Sequence, residues 1–290
     1  MEPLAALDLA APAKLSDWKQ RLAQERDALE RHFAARGAPR DLLRRLCALV
    51  DRHLREVWQR QNMPSTVSLL AVGGYGRGEL YPYSDVDLLI LLPTRADAAL
   101  QRKLEDLVGV LWDIGLEVGH SVRTIDECTE LAAQDITVQT TLLESRLLAG
   151  HRGLFRAFVA RTSAALDPRS FLQAKELEQQ QRHARHQATN LEPNVKESAG
   201  GLRDLQTILW IARAARIGHS WTDLARRGVM TTDEARELRQ QERFLQALRI
   251  RLHYVARRRE DRLLFDHQSQ LAGALGLKNR PHRLASEQLM

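Results

Sequence analysis

Between residues 15 and 62, apolar side chains recur at three- and four-residue steps: Trp18, Leu22, Leu29 and Phe33, then Leu42, Leu43, Leu46, Val50, Leu54 and Val57, with charges between them. That period is helical and predicts two amphipathic helices, broken at Gly37 to Pro39. From Thr66 to Val72 the pattern changes to a short apolar, β-branched run that stops at Gly73 and Gly74. A second such run, Asp85 to Leu92, ends at Pro93, and the two predict neighbouring strands. Leu100, Leu104, Leu107, Val108 and Leu111 then mark a helix closed by Gly115, and Val118, His120 and Val122 alternate as a third strand would.

After Thr124 the whole chain reads as helical. A capping box at Thr124 and Glu127 opens one helix, and Asp135 starts another that is expected to run to Gly150. Polar helices follow at Ser170 to Gln187 and Leu202 to Ile217. A second capping box, Thr231 and Glu234, precedes Leu238, Leu245, Leu248, Leu252 and Val255 on one helical face. The expected fold is α/β plus all-α: N-terminal helices (1–62), a small mixed-sheet lobe (63–150) and a helical bundle (151–290).

Composition narrows the class further. Of 290 residues, 44% are hydrophobic and 28% charged, which excludes wholesale disorder. No apolar run reaches the roughly 18 residues of a membrane span, and Met1, Glu2, Pro3 and Leu4 do not begin a signal peptide, so cytoplasm is the expected location. Only Cys47 and Cys128 occur, without CxxC spacing, so neither a disulfide framework nor a zinc site is expected. The net charge of +6 suits an anionic ligand but identifies none. The ten histidines have no metal spacing. His183 and His186 read as a solvated helix face, and so does the cationic run Arg243 to Arg262.

The segment with chemistry runs from Ala71 to Ile90 and includes Gly73, Gly74, Tyr75, Gly76, Arg77, Gly78, Ser84, Asp85, Val86 and Asp87. Side chains alternate along a strand, so Asp85 and Asp87 fall on one side while Val86 and Leu88 face the other. Two carboxylates held that close repel unless a cation neutralises them, and such an oxygen site suits Mg²⁺ shared with substrate phosphates. Gly73 and Gly74 let backbone amides approach a phosphate closely. The order of strand, Gly-Gly, ten residues, Asp-x-Asp and strand fits neither a Walker loop nor a dinucleotide fingerprint. It describes a metal–nucleoside triphosphate site.

These residues resemble the nucleotidyltransferase superfamily that includes DNA polymerase β. Gly73 to Leu91 is more closely similar to the PII-protein uridylyltransferase family. A second segment, Glu192 to Thr207, with Lys196, Gly200, Gly201, Arg203 and Asp204, resembles that family's motif beyond its catalytic lobe. The resemblance implies that UMP moves from UTP to a tyrosine of the PII protein, releasing pyrophosphate. Asp85 and Asp87 would be catalytic, holding Mg²⁺ or Mn²⁺. The Gly73 and Gly74 amides, with Arg77 and Ser84, would meet phosphates or the metal's surroundings, and Lys196 and Arg203 would grip the triphosphate from the helical side. The superfamily's usual third acid has two candidates. Glu117 lies on the third strand's face but away from the slot nearest Gly119, whereas Asp135 reads first as an N-cap. Arg203 and Asp204 read equally as an ordinary capping and salt-bridge pair.

Two other readings remain open: a superfamily enzyme with a different acceptor, or a non-catalytic nucleotide- or RNA-binding module. Nucleic acid is the disfavoured partner because both aspartates are present, and no membrane is expected. The resembled family continues into a phosphohydrolase domain that removes the uridylyl group and into glutamine-sensing domains. This sequence contains no His-Asp dipeptide, so neither activity is expected of it.

Overall fold

The computed structural model describes residues 15–186 and 191–290. The expectations that fall on residues 1–14, including the first four, and on Gln187 lie outside the described residues. Two antiparallel helices, α1 (Leu15–Arg36) and α2 (Pro39–Arg60), lead into β1 (Ser68–Ala71), a single-turn α3 (Gly73–Gly76) and β2 (Val86–Leu92). Then come α4 (Ala98–Asp113), β3 (Val118–Thr124), α5 (Ile125–Gln134), α6 (Ile136–Leu143) and β4 (Arg146–Gly150). The remainder is helical: α7 (Arg152–Ala165), α8 (Pro168–His186), α9 (Leu202–Ala214), α10 (Trp221–Arg226), α11 (Thr232–Ala256), α12 (Phe265–Ala274) and α13 (Ala285–Leu289). No helix among the described residues is long and apolar enough to cross a membrane.

The four strands lie in the order β3-β2-β1-β4. β1 runs antiparallel to β2 and β4, whereas β2 and β3 are parallel, so the expected small mixed sheet is present. Both faces of the centre are covered, which is why β1 and β2 read as continuous apolar runs instead of alternating ones. Leu69, Ala71, Val86, Leu88 and Ile90 pack with α1, α2 and α4. Leu70, Leu89 and Leu91 pack on the other side against α5, α6 and α7. Asp87 shares the parity of Leu89 and Leu91. The strand face that is dry further along therefore emerges at its N-terminal end as a carboxylate.

One expectation fails here. The single helix expected from Asp135 to Gly150 is a short helix followed by β4, the strand missed after Thr124. Helical and strand periods merge over these few residues, and what decides for a strand is pairing with the free edge of β1. Both expected capping boxes form, and α9 begins at Leu202 directly after Gly201. Cys47 and Cys128 are both buried free thiols; burial pushes Cys47 up to about 12 and Cys128 up to about 11.

Candidate active site

The glycine turn is built for close approach. Gly73 has φ +58°, a region L side chains avoid, and a Cβ there would stand 3.5 Å from an Asp87 oxygen. A Cβ on Gly76 would fall 1.8 Å from the Glu144 carbonyl oxygen, so only glycine lets α3 tuck under the loop after α6. Behind the turn, Tyr75 donates a 2.6 Å hydrogen bond to Asp51 of α2, and Arg146 of β4 grips the same carboxylate. The turn is thereby fastened to both a helix and the sheet edge. First-turn amides of a helix have no partner within it, so those of Gly73 and Gly74 are available to a ligand.

Asp85 and Asp87 stand together at the start of β2, where they line a cleft of ≈ 220 Å³ with Gly73, Gly74 and Ser84. Asp87 is open to solvent, yet enough protein surrounds it that burial, followed by the Asp85 charge, raises its carboxyl above the usual range. The opposite wall comes from the helical part. Lys196, Arg203 and Arg259 line the same cleft, and Arg259 donates to Asp85 at 2.7 Å across 174 residues of sequence. Burial, followed by the Arg203 and Arg249 charges, lowers Lys196 below the ordinary lysine range.

This cationic wall is held by its own acids. Glu197 lies 3.3 Å from Lys196 and 3.2 Å from Arg203. Asp204 accepts from Gln179 and Arg182 of α8 and from the Gly200 amide, with His183 at 3.0 Å, so it does not pair with Arg203. Trp210 of α9 is buried between Lys175, 4.6 Å from the ring centroid, and Arg203, at 5.2 Å. The segment 192–196 is stitched to the loop after α11: Val195 donates to the Asp261 carbonyl at 2.8 Å, and Leu263 to that of Pro193 at 2.9 Å. Asp261 then takes a 2.6 Å hydrogen bond from Arg249. Although burial works against it, His253 and Arg249 hold the Asp261 carboxyl well below the usual carboxylate range.

The expected site residues thus separate into three groups. Asp85, Asp87, Gly73, Gly74, Ser84, Lys196 and Arg203 converge on one cleft. Arg77 also lines it, but its guanidinium is engaged by Glu79 at 2.8 Å and by Glu144. Burial opposes that charge, and the two carboxylates more than restore it, leaving Arg77 raised and braced in place. Glu117 is exposed and meets Asp85 only across a shallow surface depression. Asp135 caps α6 through the Thr137 amide at 2.6 Å. The position paired with Asp87 in register is Gly119, which carries no acid.

Two expectations about surface residues fail. His183 is bound to Asp204 rather than solvated, and nothing is described of the His186 side chain. Within the run Arg243 to Arg262, Arg249 is buried over Tyr81, 3.9 Å from its ring centroid, and Arg259 reaches Asp85. Arg259 stays exposed as expected, and no local signal marks either arginine out from its neighbours, because what selects them is the stitching of distant loops.

Comparison with known proteins bears on this geometry. The profile described as "Nucleotidyltransferase domain" matches residues 50–143, and "GlnD PII-uridylyltransferase" matches residues 170–290. The bifunctional uridylyltransferase/uridylyl-removing enzyme of Aromatoleum aromaticum is 53% identical over 285 residues, covering 98% of this chain and 33% of that protein. The chain belongs to this family. Proteins of the same description from Nitrosospira multiformis and Chromobacterium violaceum are each 53% identical, over 94% and 96% of the chain. The chain spans about a third of the length of these curated relatives. The nucleotidyltransferase match holds Gly73 through Asp87, and the uridylyltransferase match holds Lys196, Arg203 and Arg259, so the cleft is formed where the two matched regions meet.

Proposed function

We propose that the cleft is a uridylyltransferase centre that transfers UMP from UTP to a tyrosine hydroxyl of the PII protein and releases pyrophosphate. The observation that carries the reading is the opposition of Asp85 and Asp87 to Lys196, Arg203 and Arg259 within one cleft, in a chain of this family. The donor set fits a divalent cation. Two hard carboxylates stand side by side, and a cationic guanidinium already meets one of them. No cluster of three or more potential metal-ligating side chains occurs among the described residues, so phosphate oxygens and water would complete the shell, as Mg²⁺ prefers. Bound by Asp85 and Asp87, Mg²⁺ or Mn²⁺ would supply charge for the triphosphate and acidify the attacking hydroxyl.

The chain's own groups do the rest. The Gly73 and Gly74 amides meet non-bridging oxygens, while Lys196 and Arg203 take the charge that grows on the leaving pyrophosphate. Arg259 turns from Asp85 to the phosphates as that carboxylate is neutralised. The hydroxyl oxygen bonds to the α-phosphorus as the bond from that phosphorus to the β-phosphate oxygen breaks in line, and the hydroxyl proton passes to solvent. Arg77 keeps the turn rigid through Glu79 and Glu144.

The test incubates the chain with each nucleoside triphosphate, Mg²⁺ and PII, followed by mass spectrometry of PII. UTP alone is expected to label one tyrosine, and Asp87→Asn to abolish labelling. Equal use of all four nucleotides, or no transfer to PII, overturns the reading.

A further inference from the structure

A second cavity, of ≈ 610 Å³, lies behind the cleft and is larger than it. Helix α6 is the partition. Its Thr137, Thr140 and Thr141 face the cleft, whereas Leu142 and Leu143 face the cavity. The far side is closed by Phe155 and Val159 of α7 and by Arg213 and Ile217 at the end of α9. A space with this lining removes an apolar body from water on several sides, which favours a ligand with an apolar body.

Its polar equipment is one-sided. Arg213 is half-buried, and no carboxylate lies within ion-pair distance of it among the described residues. Desolvating a cation without a partner is unfavourable, and burial accordingly lowers Arg213 below the ordinary arginine range despite the nearby Glu144 charge. Arg216, Arg226 and Arg227 add positive charge around the lining. Asp223 is the one acid there, and it is already engaged by the Ser220 hydroxyl, the His219 amide and Arg226.

We propose that this cavity binds a small amphipathic anion, its apolar body against Leu143, Phe155 and Val159 and its anionic head on Arg213. A cationic or zwitterionic ligand has no free acid to meet there. The nucleotide reading of the cleft is not needed for this site, and each can fail without the other.

The test uses two probes of matched shape, 8-anilinonaphthalene-1-sulfonate and uncharged N-phenyl-1-naphthylamine, titrated by fluorescence onto the 290-residue chain. One sulfonate probe per chain is expected, bound at least tenfold more tightly than the uncharged one. Arg213→Met should weaken the sulfonate at least tenfold while leaving the uncharged probe within twofold, and Ala133→Trp, which sets an indole into the lining, should weaken both. Thermal melts check that the variants fold. Equal affinity of the two probes for the unmodified chain overturns the proposal without any variant. Sulfonate binding that is unweakened in either folded variant overturns it as well.

Discussion

The two walls of the cleft are assembled in opposite ways. The acidic wall is local: fifteen residues, Gly73 to Asp87, supply the turn and both carboxylates, and the strand period alone puts Asp85 and Asp87 on one side. The basic wall is gathered from α8, the segment 192–206 and the loop after α11, which are joined by the Asp204 contacts to α8, by backbone stitches and by the buried Arg249–Asp261 pair. The difference teaches where chemistry can be concentrated. Like charges can share one short segment when a cation will join them. Several cations gathered against one another must be held by acids of their own, as Glu197 holds Lys196 and Arg203, and Asp261 holds Arg249.

The largest expected effect comes from breaking the acidic wall. Asp87→Asn and Asp85→Asn keep the shape of the strand but each removes a charged oxygen, so transfer is expected to fall by about 10³-fold or more, several kcal/mol of transition-state stabilisation. Circular dichroism should be unchanged, since Asp87 is solvent-accessible and forms no ion pair among the described residues. A steady-state rate within tenfold of the unmodified chain in either variant would remove both aspartates from the mechanism.

The same contrast governs what could be read without coordinates. The helices α1, α2 and α4, the first three strands and the paired aspartates were legible because period, turn chemistry and spacing are local properties. β4 was not, because its five residues become a strand only by pairing with β1. The third acid was sought on β3, yet register puts Gly119 beside Asp87, and a Cβ there would already stand 3.0 Å from an Asp87 oxygen. Arg249 and Arg259 looked like any other arginine in a charged run, since their partners are Asp261 and Asp85 in another part of the fold or chain.

An intermediate effect is expected from loosening the basic wall at its anchor. Asp261→Asn leaves Arg249 buried without a charge partner, a loss of about 3 kcal/mol for a broken buried pair. It also loosens the hold of α11 on the loop that carries Arg259, so nucleotide binding should weaken in the fraction that stays folded. The acid side provides a second readout. His253 and Arg249 hold the Asp261 carboxyl down in the folded chain, so its contribution is complete above the ordinary aspartate value and fades as pH falls from about 4 towards the folded value. Urea unfolding at a series of pH values should show this fall in the unmodified chain and a flatter profile in Asp261→Asn. Parallel profiles would mean that Asp261 does not anchor the wall.

The smallest effects sharpen the comparison most, because two arginines of the basic wall should act differently toward one ligand. Arg203 is paired with Glu197 and stacked near Trp210, whereas Arg259 is paired with Asp85 itself. Both Arg203→Ala and Arg259→Ala should weaken Mn²⁺–UTP binding about tenfold, or 1.4 kcal/mol, the scale of one charge-assisted hydrogen bond. Toward Mn²⁺ alone they should part. Removing Arg259 releases an Asp85 oxygen and takes away a competing cation, so the metal should bind severalfold more tightly. Removing Arg203 leaves both aspartates as they were, and metal affinity should stay within twofold. Arg243→Ala is the control, since that exposed side chain donates only to the Arg239 carbonyl of its own helix and should alter neither affinity. Calorimetry with each ligand at two salt concentrations separates a direct contact from screened attraction, because a long-range field fades as the Debye length shortens whereas a contact in the cleft largely persists. Equal changes in all three variants would mean that the basic wall acts as a diffuse charge, and the pairing of Arg259 with Asp85 would then have no part in binding.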